Sequence, residues 1–153
     1  MIVCGAGHVG RALAPAAAAA GFEVLVLDDR PEFASAALFP AGVSVGVIDA
    51  FADAFAGLVL TARSFVAIVT RGHAHDYAVL GQSLRSPAGY VGLMGSAAKR
   101  AKIFAALRED GFTDAELARI HTPIGLAIGA ETPAELAVSI TAELIQVRAE
   151  MAG

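Results

Sequence analysis

This sequence has little that would indicate disulfide, membrane or nucleic-acid chemistry. It contains one cysteine, Cys4, so no disulfide can form within the chain, and a reducing compartment suits it. It has no run of about 18 uninterrupted apolar residues, which argues against a membrane span. Its 11 Lys and Arg are outnumbered by 15 Asp and Glu, and a net charge of −4 does not favour a nucleic-acid partner. We therefore expect a cytoplasmic domain that binds neither a membrane nor a nucleic acid.

Aromatic and charged residues are also scarce, whereas small and aliphatic residues are abundant. Tryptophan is absent, aromatic residues are 7% of the chain and charged residues 17%, but hydrophobic residues reach 56%. This balance excludes a disordered chain, and 153 residues usually form one domain. Sixteen glycines and many alanines favour helices packed closely on a sheet.

Apolar runs alternate with helix-like segments along the whole chain, which is the pattern of βαβ units. Strands are predicted over residues 2–4, 23–27, 43–48, 64–70 and 89–95. Helices are predicted over residues 8–20, 31–38, 76–84 and 96–109, from 113 in a short turn, and from 133 to about 151. Capping boxes at Thr113–Glu116 and Thr132–Glu135 begin the last two helices. We expect one α/β domain over residues 1–153, with a doubly wound, Rossmann-type, mainly parallel sheet covered by helices on both faces.

The stretch "VCGAGHVGRAL" near the start of the chain has the glycine spacing of a dinucleotide-binding loop. It follows the first strand and begins the first helix, which is the required context. Gly5 permits a tight turn, Gly7 lets backbone approach a pyrophosphate, and Gly10 lets helix and strand pack closely. Asp28 comes 18 residues after Gly10, at the tip of the second strand, where an acid accepts ribose hydroxyls. The alternative interpretation is a tight turn that binds nothing.

Three charged or polar residues flank this loop and its acid. Asp28 and Asp29 together would repel a 2′-phosphate, which favours a plain ribose. Arg30 has two interpretations: it blunts that repulsion or stacks on a base, or it is a solvated charge paired with Glu32. His8 begins the first helix, where it either contacts a ligand phosphate or ring or is simply exposed.

A second polar cluster, "TRGHAHDYAVL", follows the fourth strand at the carboxyl edge of the predicted sheet, where such folds bind ligands. Thr70 and Arg71 end the strand, and we expect Asp76 to be the N-cap of the next helix. His73, His75 and Asp76 would then line the cleft, with Arg71 and the two histidines as ligand or proton-handling groups. Since no distant partner completes a set of ligands, we do not expect a metal ion here.

The stretch "GSAAKRAK" follows the fifth strand and has two open interpretations. Gly95 and Ser96 begin a helix whose first turns carry Lys99 and Arg100, which predicts an anion pocket. The alternative is a solvated basic helix face. The later segment "HTPIGLAIGAETP" is long and irregular, a property often found in functional loops.

Taken in order, these motifs resemble the XdhC/CoxI family. The resemblance is carried by "GAGHVGRALAPAAAAAGFEVLVLDDRPEFA", "TRGHAHDYAVL", "YVGLMGSAAKR" and "PIGLAIGAETPAELAVSITAELI", which span nearly the whole chain. The resemblance implies the C-terminal Rossmann half of an accessory protein for molybdenum hydroxylases, such as xanthine or carbon-monoxide dehydrogenase. Members bind the molybdenum cofactor, protect it during sulfuration and help insert it into the apo-enzyme.

The resemblance also sets two expectations about what surrounds this domain. The family's N-terminal domain does not precede the first strand, so the chain is a stand-alone member, a fragment or one part of a split system. A separate protein of that N-terminal type is a possible partner, and a homodimer is another. Alanines stand in "GSAAKR" where relatives often carry further basic residues, which would weaken that anion site.

The residues and the resemblance together predict a maturation factor that binds molybdopterin or its dinucleotide form. The factor would hand this cofactor to an apo-hydroxylase and would catalyse no reaction itself. The glycine loop would hold a pyrophosphate, Asp28 a ribose, and Ser96 with Lys99 or Arg100 a second anion. Two other functions stay open: an NAD(P)-dependent oxidoreductase with His73 or His75 as proton donor, and a nucleotide-sensing scaffold that docks on the apo-enzyme. No residue is assigned as catalytic.

Overall fold

The computed structural model describes residues 1–153, arranged around a six-stranded, all-parallel sheet of order β3-β2-β1-β4-β5-β6. The strands are β1 (Ile2–Cys4), β2 (Val24–Asp28), β3 (Val43–Val47), β4 (Phe65–Ile68), β5 (Tyr90–Leu93) and β6 (Ile120–His121). The helices are α1 (His8–Ala19), α2 (His73–Arg85), α3 (Ala97–Glu109), α4 (Asp114–Leu117) and α5 (Pro133–Ala152), with 3-10 turns at Ala36–Leu38 and Phe51–Asp53. This order confirms the predicted doubly wound fold. No helix combines the length and the apolar character needed to cross a bilayer.

Two apolar layers lie on opposite faces of the sheet, because alternate residues of each strand point to opposite sides. In β1, Ile2 and Cys4 join the layer under α2, α3 and α4, whereas Val3 joins the layer under α1 and α5. Cys4 is fully buried, and burial raises the pKa of its thiol far above the ordinary value. This thiol is therefore protonated and inert.

Helix α1 lies close to both the sheet and α5 because its inner face is made of small residues. Leu13, Ala14 and Ala17 are fully buried in the layer that also holds Ile140 and Leu144 of α5. A Cβ added to Gly10 would lie 1.9 Å from the carbonyl oxygen of Gly5. The backbone of the glycine loop therefore contacts the backbone of α1 directly.

The helices begin in two different ways. Ser96, Thr113 and Thr132 cap α3, α4 and α5 with their hydroxyl oxygens, and both predicted capping boxes are confirmed. In contrast, the N-cap residues of α1 and α2 are Gly7 and Gly72, and no side chain caps either helix. Their first amides are therefore not satisfied by a capping group.

The predicted helix over residues 31–38 is wrong. The amides of Phe33 and Ala34 both donate to the carbonyl oxygen of Arg30, which gives a single turn. Ser35 is extended, with φ −106° and ψ 127°, and only the 3-10 turn follows it. The sequence also did not predict β6, because two residues are too short for any strand pattern to be visible.

The carboxylate of Glu143 fastens α5 to the far side of the sheet. Its Oε2 accepts the Tyr90 hydroxyl at 2.5 Å and the Gly125 amide at 2.8 Å, and its Oε1 lies 3.4 Å from Nδ1 of His121. Burial, reinforced by this carboxylate, raises the pKa of Tyr90 well above its ordinary value. The irregular segment after β6 is thereby held against β5 and α5.

The close contact at Gly10 predicts a stability difference between two neighbouring glycines. Gly10→Ala would push a methyl group into the backbone of the loop, and we expect a loss of about 1–3 kcal/mol, as for other overpacked sites. Gly7→Ala is the matched control, because its added Cβ meets nothing within 4 Å and its φ is −74°. We expect that variant to lose less than about 1 kcal/mol. Urea unfolding of both variants measures the difference, and equal losses would contradict the packing described here.

Candidate functional site

The sheet order creates a crevice at the carboxyl ends of β1 and β4. These two strands are neighbours, but β1 leads to α1 on one face of the sheet and β4 leads to α2 on the other. Open α/β sheets bind ligands at such a point, where the chain reverses its winding direction. The candidate site therefore lies between the glycine loop and the segment Thr70–Gly72.

In the glycine loop, Gly7 is the one glycine that neither packing nor backbone conformation requires. Gly5 has φ +115°, and a Cβ there would lie 2.5 Å from the carbonyl oxygen of Val69. Gly7, in contrast, has an ordinary φ and faces open space. The Arg11 amide donates to the Gly7 carbonyl at 2.9 Å to start the α1 ladder, and no side chain caps the amides before it. Open space beside free amides at a helix N-terminus suits a phosphate group.

Asp28 ends β2 with both carboxylate oxygens already occupied. Its Oδ2 accepts the Ala6 amide of the glycine loop at 2.8 Å, and its Oδ1 accepts the Arg30 amide at 3.0 Å. The Arg30 guanidinium adds two contacts, at 2.9 and 3.0 Å. Burial acts to raise the pKa of Asp28, but the hydrogen bonds from Arg30 and Ala6 outweigh it and the pKa is lowered. Asp28 is fully buried and joins the glycine loop to the loop after β2.

Arg30 is not paired with Glu32, and its side chain is only 26% exposed, so the interpretation of a solvated or Glu32-paired charge does not describe it. Its guanidinium lies against the carboxylate of Asp28 and 3.7 Å from the ring centroid of Phe33. The predicted neutralisation of the acidic pair is therefore the interpretation that the geometry favours.

Asp29 forms an ion pair with Arg71 from the segment after β4. The two guanidinium nitrogens lie 2.5 and 2.9 Å from the two carboxylate oxygens, a bidentate arrangement. Hydrogen bonding to Arg71 lowers the pKa of Asp29 to about 2. Arg71 Nη1 also lies 3.9 Å from Oδ1 of Asp28. Four charged groups of alternating sign thus line this side of the crevice.

Asp76 is not the N-cap of α2, which corrects the sequence-based expectation. The helix begins earlier, at His73, and Asp76 is fully buried in its first turn. The Thr70 hydroxyl lies 2.5 Å from Oδ1 of Asp76, and the ammonium group of Lys99 contacts Oδ2. A buried carboxylate needs such partners, and they draw it inward instead of to the helix end. Asp76 therefore connects α2 to the end of β4 and to α3.

The two histidines of the second cluster are placed differently from one another. His75 is half-buried, with its ring 5.0 Å from the ring of Phe51, whereas His73 is exposed. His8 is exposed on the first turn of α1. No group of three or more His, Cys, Asp or Glu side chains is arranged to hold a metal ion.

The cations at the start of α3 are engaged by protein acceptors. Lys99 contacts Asp76, and Arg100 Nη1 donates to the carbonyl oxygen of Thr122 at 3.1 Å. The Ser96 hydroxyl caps the helix by accepting the Lys99 amide at 3.2 Å. Gly95 precedes this cap with φ +158°. In this arrangement Lys99 and Arg100 hold α3 to α2 and to the segment after β6, and an anion site at Ser96 stays a prediction.

Comparison with known proteins shows which family has this combination of fold and loops. The sequence model of the XdhC Rossmann domain matches residues 1–144. The chain belongs to the XdhC family.

Three relatives extend this result. The XdhC domain is 36% identical over 148 residues to uncharacterized protein YqeB of Escherichia coli (strain K12), covering 97% of this chain and 27% of that protein. It is 32% identical over 157 residues to a probable xanthine dehydrogenase subunit of Bacillus subtilis (strain 168), covering 99% of this chain and 44% of that protein. A crystal structure of a xanthine dehydrogenase from Bacillus halodurans matches it with TM-score 0.84 and 30% identity, covering 97% of this chain and 42% of that one. The XdhC domain therefore spans less than half the length of these relatives.

The structure brings together most of the residues that the sequence selected, but one cluster was missed. The glycine loop, the Asp28–Arg30 segment and the Thr70–Asp76 segment all meet at the crevice. The group formed by Tyr90, His121 and Glu143 was not predicted. A signal existed, since Glu143 is an acid beside the buried Leu144 and one turn from the buried Ile140.

The Asp29–Arg71 ion pair predicts a pH-dependent contribution to stability. A carboxylate whose pKa is about 2 in the folded protein and 3.8 ordinarily stabilises the fold above 3.8, and this stabilisation is lost as the pH falls towards 2. Asp29→Asn should therefore lower the urea midpoint at neutral pH, and its difference from the wild type should shrink in acid. The matched control is Asp114→Asn, since Asp114 is also paired with an arginine, Arg108, but is 82% exposed. A gap between wild type and Asp29→Asn that does not change with pH would rule this pairing out.

Proposed function

We propose that the XdhC domain binds a pyrophosphate-bearing nucleotide form of the molybdenum cofactor and hands it to the apo-form of a molybdenum hydroxylase of the xanthine dehydrogenase type. The observation that carries the proposal is the open space at Gly7, beside the uncapped N-terminus of α1. A pyrophosphate in this space would receive hydrogen bonds from backbone amides and the favourable end of the helix dipole.

The ligand's other groups find complementary chemistry nearby. A nucleotide form of molybdopterin contains a ribose next to the pyrophosphate, and Asp29, directly after β2, offers acceptors for its hydroxyls. Ser96, at the start of α3, is the candidate contact for a further anionic group. The bound molybdenum supplies redox chemistry in the hydroxylase that receives it, whereas the residues named here only bind, orient and release the cofactor.

The family relationship supports the hydroxylase as the partner. The Bacillus subtilis relative is named as a probable xanthine dehydrogenase subunit, and the Bacillus halodurans relative as a xanthine dehydrogenase. For this domain we propose the role of an accessory protein in the same system, in the cytoplasm, where its single thiol stays reduced. The proposal includes the family's N-terminal domain, supplied either by a partner protein or by a further segment.

An NAD(P)-dependent oxidoreductase is the second candidate, because strand order 3-2-1-4-5-6 with an acid after β2 is also the arrangement of nicotinamide enzymes. It would require a proton donor beside the bound ring. Of the two donors suggested by the sequence, His75 packs on Phe51 and His73 is exposed. This favours the carrier function over hydride transfer.

The experiment is reconstitution of an apo-xanthine dehydrogenase with a molybdopterin dinucleotide, with and without the XdhC domain. We expect the domain to bind the dinucleotide with nanomolar-to-micromolar affinity and to raise the yield of active enzyme. Gly7→Ala should weaken binding roughly tenfold, because its methyl group takes space that the pyrophosphate would occupy. The matched control is Gly81→Ala. Gly81 lies about two turns from the start of α2, and its added Cβ makes only an ordinary contact with Arg85.

Two results would exclude the proposal. One is the absence of binding by any molybdopterin form in that concentration range. The other is reduction of a carbonyl substrate with bound NAD(P)H, which would establish the oxidoreductase instead.

A further inference from the structure

The Asp29–Arg71 ion pair crosses the crevice from one side to the other. Asp29 follows β2 and Arg71 follows β4, and β1 lies between these two strands in the sheet. Their side chains therefore meet across the carboxyl end of β1, where the glycine loop begins. Three surface cavities of about 400–570 Å³ lie elsewhere, and no residue of the glycine loop lines them.

Neighbouring contacts hold both members of the pair in place. Asp28, directly before Asp29, is fixed by Ala6 and Arg30. Thr70, directly before Arg71, is fixed by Asp76 and by the Gly72 carbonyl at 3.0 Å. The Asp29 side chain is 16% exposed and the Arg71 side chain 38% exposed, so solvent reaches the pair mainly from the Arg71 side.

Asp29 is the acid that a ligand can reach. Asp28 is fully buried and its two oxygens already accept four hydrogen bonds, from Ala6 and Arg30. Both oxygens of Asp29 are held by a single group, the Arg71 guanidinium, which is 38% exposed and has a flexible side chain. A ligand that attracts Arg71 would free Asp29 at the same moment.

Separating the pair leaves two charged groups without partners, and each must find a new one. A phosphate oxygen satisfies Arg71, and a pair of ribose hydroxyls satisfies Asp29. A ligand with only one of these groups replaces only one of the two lost interactions. A complete ligand replaces both, so separating the pair disfavours incomplete ligands more than complete ones.

We propose that the Asp29–Arg71 ion pair determines specificity at this crevice, admitting ligands that carry a phosphate together with free ribose hydroxyls and rejecting ligands that carry only one of them. The class selected is a nucleoside diphosphate with an unsubstituted ribose, and Asp29 is the residue that reads the ribose. This inference rests on the proposed function, since it assumes that the crevice receives a pyrophosphate nucleotide.

The test measures binding of ADP and CDP, of their 2′,3′-dideoxy forms and of inorganic pyrophosphate by calorimetry. We expect the wild type to prefer each nucleotide over its dideoxy form, and over pyrophosphate, by roughly tenfold. The double variant Asp29→Asn/Arg71→Gln removes both charges and keeps both positions polar, and its preference should fall close to one. The matched control is Asp114→Asn/Arg108→Gln, an ion pair on the exposed α4 side of the molecule, which should retain the preference.

The possible results separate this inference from the proposed function. If ADP or CDP binds and Gly7→Ala weakens it, but the preference is absent or survives in the double variant, the specificity role is wrong and the proposed function is unaffected. If only the double variant binds nucleotides, the ion pair blocks the crevice instead of selecting among ligands, and the inference is overturned. If neither protein binds a nucleotide, the inference also fails, whereas the molybdopterin titration decides the proposed function separately.

Discussion

The buried carboxylate of Asp28 is the interaction on which the crevice depends. It accepts the Ala6 amide from the glycine loop and the backbone and side chain of Arg30 from the next loop, so two segments share one anion. A buried carboxylate without these donors would be strongly unfavourable, which makes the two loops interdependent. Their positions in turn place Gly7 beside open space and bring Asp29 to Arg71. The geometry of the crevice therefore depends on the hydrogen bonds that stabilise the buried Asp28 carboxylate.

Much of the fold was predictable because its signals are local. Thr113–Glu116 and Thr132–Glu135 each contain a complete capping box within four residues, and Gly21 ends α1 with φ +87°. The spacing of Gly5 and Gly10 likewise encodes a turn and a close helix contact that the structure contains. Such features depend on neighbours in the sequence, so one sequence is enough to find them.

The features that the sequence did not reveal depend on residues that are distant along the chain. Asp76 has the sequence position of a helix cap, but Thr70 and Lys99 draw it into the interior. Arg71 was recognised as polar, but its partner lies 42 positions earlier, and no spacing rule links the two. Tertiary contacts decided each of these cases.

The fold alone does not distinguish a hydride-transfer enzyme from a cofactor carrier, because both require a cradle for a pyrophosphate and a ribose. In this domain we base the distinction on the surroundings of the candidate site. The histidine that follows β4 most closely, His73, is exposed, and the nearby cations are taken up by Asp29 and Asp76. These surroundings support the proposed binding and release of a nucleotide. Membership of the XdhC family is consistent with such a carrier.

The proposed carrier function is tested most directly by mass spectrometry of the small molecules that are released when protein purified from its own host is denatured. We expect a pterin dinucleotide, present in the wild type and depleted in Gly7→Ala. Release of NAD(P) in its place, or of no pyrophosphate-bearing nucleotide at all, would contradict it.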